Sequence, residues 1–136
     1  MSRKHTAALV AKSQEITAFA SKTFVTLVPH GTEPPYLVWH PAKGTNTQER
    51  VTGPRTTMHP RFTGHIVGVD ADQTQLLTDL LEQKLFPAGR GIVLSVTGEK
   101  SKPLWFEAPL PVQASTDPLP AIVYSVVEVG WTADPA

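Results

Sequence analysis

Cysteine is absent from the 136 residues. That absence removes disulfide staples, thiolate metal sites, CxxC redox pairs and cysteine nucleophiles together. No apolar run approaches the roughly eighteen residues of a membrane-spanning helix, so no membrane contact is expected. The start, MSRKHTAALVAK, is basic, but its apolar run breaks at Lys12 and no secretory core follows. Synthesis and folding in a cytosol are therefore expected. Charged residues are few, at 18%, and the formal net charge is zero. A dedicated nucleic-acid binder of the usual basic kind is disfavoured.

Proline, by contrast, is plentiful. Thirteen prolines are about twice the ordinary usage, and they fall between the periodic segments. The length suits a single domain over residues 1–136. A chain of this size buries roughly 68–70% of its unfolded surface, so a hydrophobic core is within reach. Charge is unevenly spread. Through Arg61 eight basic residues stand against three acidic ones, and from Phe62 onward four stand against nine. Such an offset is either chance or a pair of complementary faces for head-to-tail association.

Periodicity supplies the elements. Thr6 to Ser21 favours a helix, with Leu9, Ile16, Phe19 and Ala20 on one face. Phe24 to Val28 alternates weakly, and PYLVWH from Pro35 to His40 reads as a strand closed by Pro41. Arg61 to Val69 alternates again. Phe62, Gly64, Ile66 and Gly68 share one face, where the two glycines imply a closely packed neighbour. Asp70 is a good N-cap and Gln73 completes a capping box for a helix from Ala71 to Phe86. Leu76, Leu77, Leu80, Leu81 and Leu85 form its apolar stripe, and Pro87 and Gly89 stop it. GIVLSVTG, Gly91 to Gly98, is expected to be a strand. The longest strand is Ala121 to Trp131, apolar on both faces and so centrally placed or covered twice. The sum is an α+β fold, a mainly antiparallel sheet with an N-terminal helix and a second amphipathic helix on one face, plus long projecting loops. Something else must cover the other face, at least in part.

Those loops are the unusual part. From Gly44 to Phe62 the chain is almost wholly polar between two core strands. A second irregular stretch, EKSKPLWFEAPLPVQASTDPLP, precedes the last strand. Loops beyond about 12–15 residues in a compact domain are usually functional or disordered. Prolines 54 and 60 and five threonines suit an extended arm or irregular hairpin better than a free linker.

No catalytic constellation emerges. Serines and histidines lack a GxSxG elbow. GRG and TGPR lack the strand–loop–helix setting of a phosphate loop. His59 and His65 share a strand face but stand about 20 Å apart at roughly 3.3 Å per residue, too far to chelate one ion. No enzyme activity, cofactor or metal is expected. The residues that suit an assembly interface are Arg50, Arg55, His59, Arg61, Trp105 and Phe106. Arginine and tryptophan anchor interfaces, although solvated charge and an aromatic lid folded on the sheet would explain the same residues.

In the order of these elements the chain resembles the tail terminator, or tail completion, proteins of long-tailed bacteriophages. The likeness runs from Thr6 to Trp131 through PPYLVWHP, the polar stretch, RFTGHIVGVD, the leucine-striped helix and PAIVYSVVEVGW. The HP…GTNTQER…P.F stretch is most similar to versions from phages of actinobacteria. The resemblance implies a structural virion protein at the head-proximal end of the tail, assembled in the bacterial host cytoplasm. It would form a homo-oligomeric ring, a hexamer, that caps the tail tube, stops its polymerisation and offers the head-tail joining surface. Its partners would be the tail tube protein and connector or neck proteins, with DNA passing through without sequence-specific binding. Gly44 to Pro60 would be the arm and Ser101 to Pro120 a second contact loop. Another neck component, such as a head-completion or connector protein, is the nearer alternative. A small-molecule-binding α+β domain or enzyme is the remoter one.

Overall fold

Local sequence places each element, and the sheet decides which survive. The structure, a computed structural model, describes residues 2–29, 31–47, 57–96, 98–115 and 122–135. The elements are α1 (Ser2–Ser13), β1 (Thr23–Val25), β2 (Tyr36–Thr47), β3 (Thr57–Gly68), α2 (Ala71–Leu85), β4 (Glu99–Ser101), β5 (Trp105–Glu107), β6 (Gln113–Ser115), β7 (Ile122–Gly130) and β8 (Ala133–Pro135). Short 3-10 turns follow α1 at Thr17–Phe19 and α2 at Pro87–Gly89. The fold is α+β. Among the described residues the strands form one sheet in the order β1-β2-β3-β7-β5. β6 continues the β5 edge along β7, and β8 takes over from β7 beside the start of β3 and carries β4. Every pairing is antiparallel except β1 with β2.

The two faces follow from the period of two. Leu37, Trp39, Phe62, Ile66, Val127 and Val129 point to one side and are buried. There they meet α1 through Leu9 and α2 through Leu77, Leu81 and Leu85. Gly64 and Gly68 are tight for separate reasons. A Cβ at Gly64 would lie 2.7 Å from the Trp39 ring and 2.9 Å from Val127. At Gly68 it would collide with the Thr74 hydroxyl of α2. The close neighbour that the two glycines imply is thus an indole at one and a helix at the other.

α2 begins as its sequence dictates. The Asp70 side chain accepts from the Gln73 amide at 2.8 Å, and Gln73 Oε1 accepts from the Val69 amide at 2.8 Å. Replacing Asp70 with alanine should cost about 1 kcal/mol, measured as a lower urea midpoint at unchanged m value. The leucine stripe is narrower than expected. Leu76 and Leu80 are 57% and 38% exposed, because buried Thr74 takes a place beside Leu77 in the contact with β3 and β7.

Three other expectations change. The first helix starts at Ser2 and stops at Ser13, where the Ser13 hydroxyl donates to the Leu9 carbonyl at 2.9 Å and accepts from Trp39 Nε1 at 3.0 Å. Its buried line is His5, Leu9 and Ser13, one residue per turn. Gly91 to Val96 pairs into no ladder. Among the described residues it is tied by three backbone bonds, from the Ile92 amide to the Leu85 carbonyl, from the Leu104 amide to the Ile92 carbonyl and from the Glu99 amide to the Val96 carbonyl, and Gly91 presses on the Leu104 backbone so closely that no Cβ fits. Finally, β2 does not end at Pro41. β1 borders only Leu37 to Trp39, so the rest of β2 is an edge, where a proline does no harm. Pro60, inside β3, falls opposite the register shift between Ala42 and Thr45 and has no ladder partner. The polar stretch therefore begins and ends as a hairpin of β2 and β3; residues 48–56 lie outside the described residues.

Candidate assembly interface

The sheet face away from the helices carries Tyr36, Val38, His40, Arg61, Thr63, His65, Val67, Tyr124, Val126, Glu128 and Gly130. No helix packs on this side among the described residues. At the β1 end, Thr26, Val28, Tyr36, Val38, His40, His65, Val67, Ile122 and Tyr124 line an open groove of about 340 Å³. His40 and His65 meet there at 4.9 Å between ring centres, and Tyr124 lies 5.9 Å from His65 on its other side. Burial, with the neighbouring His40 adding to it, holds the His65 pKa below the ordinary histidine value.

At the other end of the face lie two of the residues singled out in the sequence. Arg61 on β3 and Trp105 on β5 both register with Gly130 of β7. The Arg61 guanidinium carbon sits 5.6 Å from the centre of the Trp105 ring, within the range of a cation–π contact. Gly130 makes the contact possible, since a Cβ there would lie 2.6 Å from the indole. Phe106 turns to the opposite side, beside Val129, and packs against the core. Glu107 pairs directly with Glu128, a like-charge pair that by itself weakens the β5 edge. His59 stands near the base of the hairpin, with Nδ1 3.3 Å from the Thr132 hydroxyl. Arg50 and Arg55 lie outside the described residues. The second irregular stretch carries β4, β5 and β6, and its residues 116–120 lie outside the described residues.

Charge on the helix layer is also segregated. Exposed Arg3 and Lys4 belong to α1, and exposed Asp72, Asp79 and Glu82 to α2. Within one chain the two helices are bridged by Glu15, which reaches Lys84 at 3.0 Å and Lys12 at 3.4 Å. The Lys84 hydrogen bond chiefly lowers the Glu15 pKa.

Beneath the helix layer lies a polar cluster that periodicity does not reveal. His5 is fully buried, 5.7 Å from Trp131, and neither ring nitrogen has a hydrogen-bond partner among the described residues. The Glu99 carboxylate oxygens are buried nearby in the same condition. Burial lowers the His5 pKa; Glu99 opposes this, while the N-terminal amine and Lys4 reinforce it. The native chain thus holds a neutral imidazole that the unfolded chain protonates near pH 6.5. Stability is full above that value and is lost as pH falls through the depressed native pKa. Denaturation midpoints measured between pH 7.5 and 5 should fall with pH, and His5→Gln should shallow that slope by up to one proton's worth, leaving the His65 share.

No protein-family model matches the sequence, and no curated protein matches it. Among solved structures the chain is similar to one described as "Virion of native gene transfer agent (GTA) particle". The TM-score is 0.66 at 11% identity, with 92% of this chain and 91% of that chain covered. At this identity the likeness is one of fold, and it takes in most of both chains.

Proposed function

We propose that the protein is a structural component of a phage-like virion and, more narrowly, a tail terminator. On this reading a ring of six copies caps the tail tube, stops its growth and presents the surface to which the head joins. The observation that carries the proposal is the likeness of fold, over most of both chains, to a chain in a gene transfer agent virion. The element order shared with tail terminators adds to it. So does an architecture in which the long β2–β3 hairpin runs beside a sheet face that no helix covers among the described residues.

The physical requirements of a ring are present in outline. A closed ring needs a heterologous contact, in which unlike surfaces of successive copies meet. Basic α1 and acidic α2, with half-exposed Leu76 and Leu80, supply unlike surfaces on one layer. The hairpin would supply a second contact, through Arg50 and Arg55, to a neighbouring copy, the tube protein or a neck protein. Arg61 and Trp105 would brace it as a preformed pair. A net charge of zero suits a channel through which DNA slides, because affinity for DNA rises with the number of phosphates neutralised.

Native mass spectrometry across a wide concentration range tests the proposal. Six-copy rings are expected, either alone or on addition of purified tail tubes. Arg50→Ala with Arg55→Ala should abolish assembly while leaving circular dichroism and Tm unchanged. A chain that stays monomeric with tail tubes present overturns the reading. Binding to DNA-filled heads in preference to isolated tubes would move the protein to another neck position.

A further inference from the structure

We propose that His40 and His65 form a two-imidazole site for a first-row divalent transition-metal ion, of which Zn²⁺ is the representative. The site stands independently of the virion reading. Its basis is register. Val38 pairs with His65 and His40 with Thr63, so the two histidines are diagonal neighbours on one face of an antiparallel pair. Diagonal neighbours come within reach when their side chains are long or aromatic.

The spacing fits a shared ion. A metal–nitrogen bond of about 2.1 Å, added to the ~1.1 Å from ring centre to ring nitrogen, puts each ring centre about 3.2 Å from the ion. Two such vectors meeting at the tetrahedral angle of about 109° separate the ring centres by roughly 5.2 Å. The observed separation is 4.9 Å, with the ring planes 76° apart. Ligand chemistry agrees, since imidazole suits zinc, copper and nickel and binds as the neutral base.

Protein supplies only part of the coordination. Among the described residues no group of three histidine, cysteine or acidic side chains is placed to hold an ion. The Tyr124 hydroxyl is engaged, donating to Gln113 Oε1 at 2.7 Å. Water would occupy the remaining positions, through the open groove that both histidines line. An ion held by two protein ligands exchanges readily and reports on free metal rather than building the fold. Hard cations such as Mg²⁺ and Ca²⁺, which prefer oxygen, would not bind.

The test uses the untagged full chain. With Zn²⁺ a hundredfold above its dissociation constant, the Tm should rise by roughly 5 °C or more, reverse with EDTA and not respond to Mg²⁺. His40→Gln and His65→Gln should each remove the rise, and His59→Gln should keep it. Histidine side-chain ¹⁵N spectra of the unaltered protein give a check that needs no variant. The His40 and His65 nitrogens should shift together at the same Zn²⁺ concentration, with His5 and His59 unmoved. No rise in Tm, an undiminished rise in His40→Gln, or shifts confined to other histidines would each overturn the site.

Discussion

Replacing Trp39 with alanine is expected to lower stability by about 3–5 kcal/mol, a large part of the roughly 5–15 kcal/mol that holds a domain together. The expected fall in Tm is roughly 10–20 °C. Three losses combine. The indole is 0% exposed, so the whole ring leaves the core and a cavity remains between α1 and the sheet. Its edge contact with Phe62, at 6.5 Å between centres, disappears. Its Nε1 donates to the Ser13 hydroxyl that also bonds the end of α1, so that hydroxyl loses one of its two partners. Trp39→Phe separates these contributions, keeping an aromatic ring while dropping the hydrogen bond. It should fall between wild type and alanine on a urea denaturation curve. Equal stability of Trp39→Phe and wild type would mean that the Ser13 bond contributes nothing net.

The second large effect comes from adding atoms. Gly64→Ala places a methyl 2.7 Å from the Trp39 ring and 2.9 Å from Val127, closer than carbon atoms in proteins approach. Overpacking of this kind costs about 1–3 kcal/mol, and Gly64→Val should cost more. The diagnostic measurement is a double-mutant cycle. Once Trp39 is truncated the ring is gone, so Gly64→Ala in the Trp39→Ala background should cost little or even fill space. A coupling of at least about 1 kcal/mol toward relief is expected for groups in such contact. Additivity within a few tenths would show that the strain at Gly64 comes from Val127 or the backbone instead.

That glycine also shows what a sequence can and cannot say. Alternation from Arg61 to Val69 put Gly64 and Gly68 on the core side of a strand and implied a close neighbour. It did not name Trp39, because cross-strand partners are set by register, which a single strand does not carry. α2 was legible almost to the residue, since cap, stripe and stop signals are all local. Its width was not, because only the packed layer decides that Leu76 and Leu80 lie outside the contact. Gly91 to Gly98 is the opposite case. Its β-prone residues are real, but a strand needs a partner edge, and Leu104 approaches Gly91 there instead.

The candidate interface was legible as composition and not as geometry. Arg61 and Trp105 are 44 positions apart in the chain, and only the shared register with Gly130 brings them together. A glycine interrupting the VEVGW strand was the available signal, since glycine inside a strand often marks a close approach. His40 and His65 gave no comparable sign. Their pairing depends on the register of the hairpin, and Pro41 made β2 look shorter than it is. His5, in a polar stretch of a weakly amphipathic helix, offered nothing that marks a buried histidine.

The hairpin of β2 and β3 has a mechanical consequence. Its base is part of the sheet itself: Thr45 to Thr47 of β2 pair with Thr57 to His59 of β3, and Met58 pairs onward with Ala133 of β8. The same two strands hold Trp39 and Ile66 in the core. A pull delivered at Thr47 and Thr57 is therefore carried as tension along β2 and β3 and as shear into β7, with no soft joint among the described residues to absorb it. The base of the hairpin transmits force to the core as a beam does.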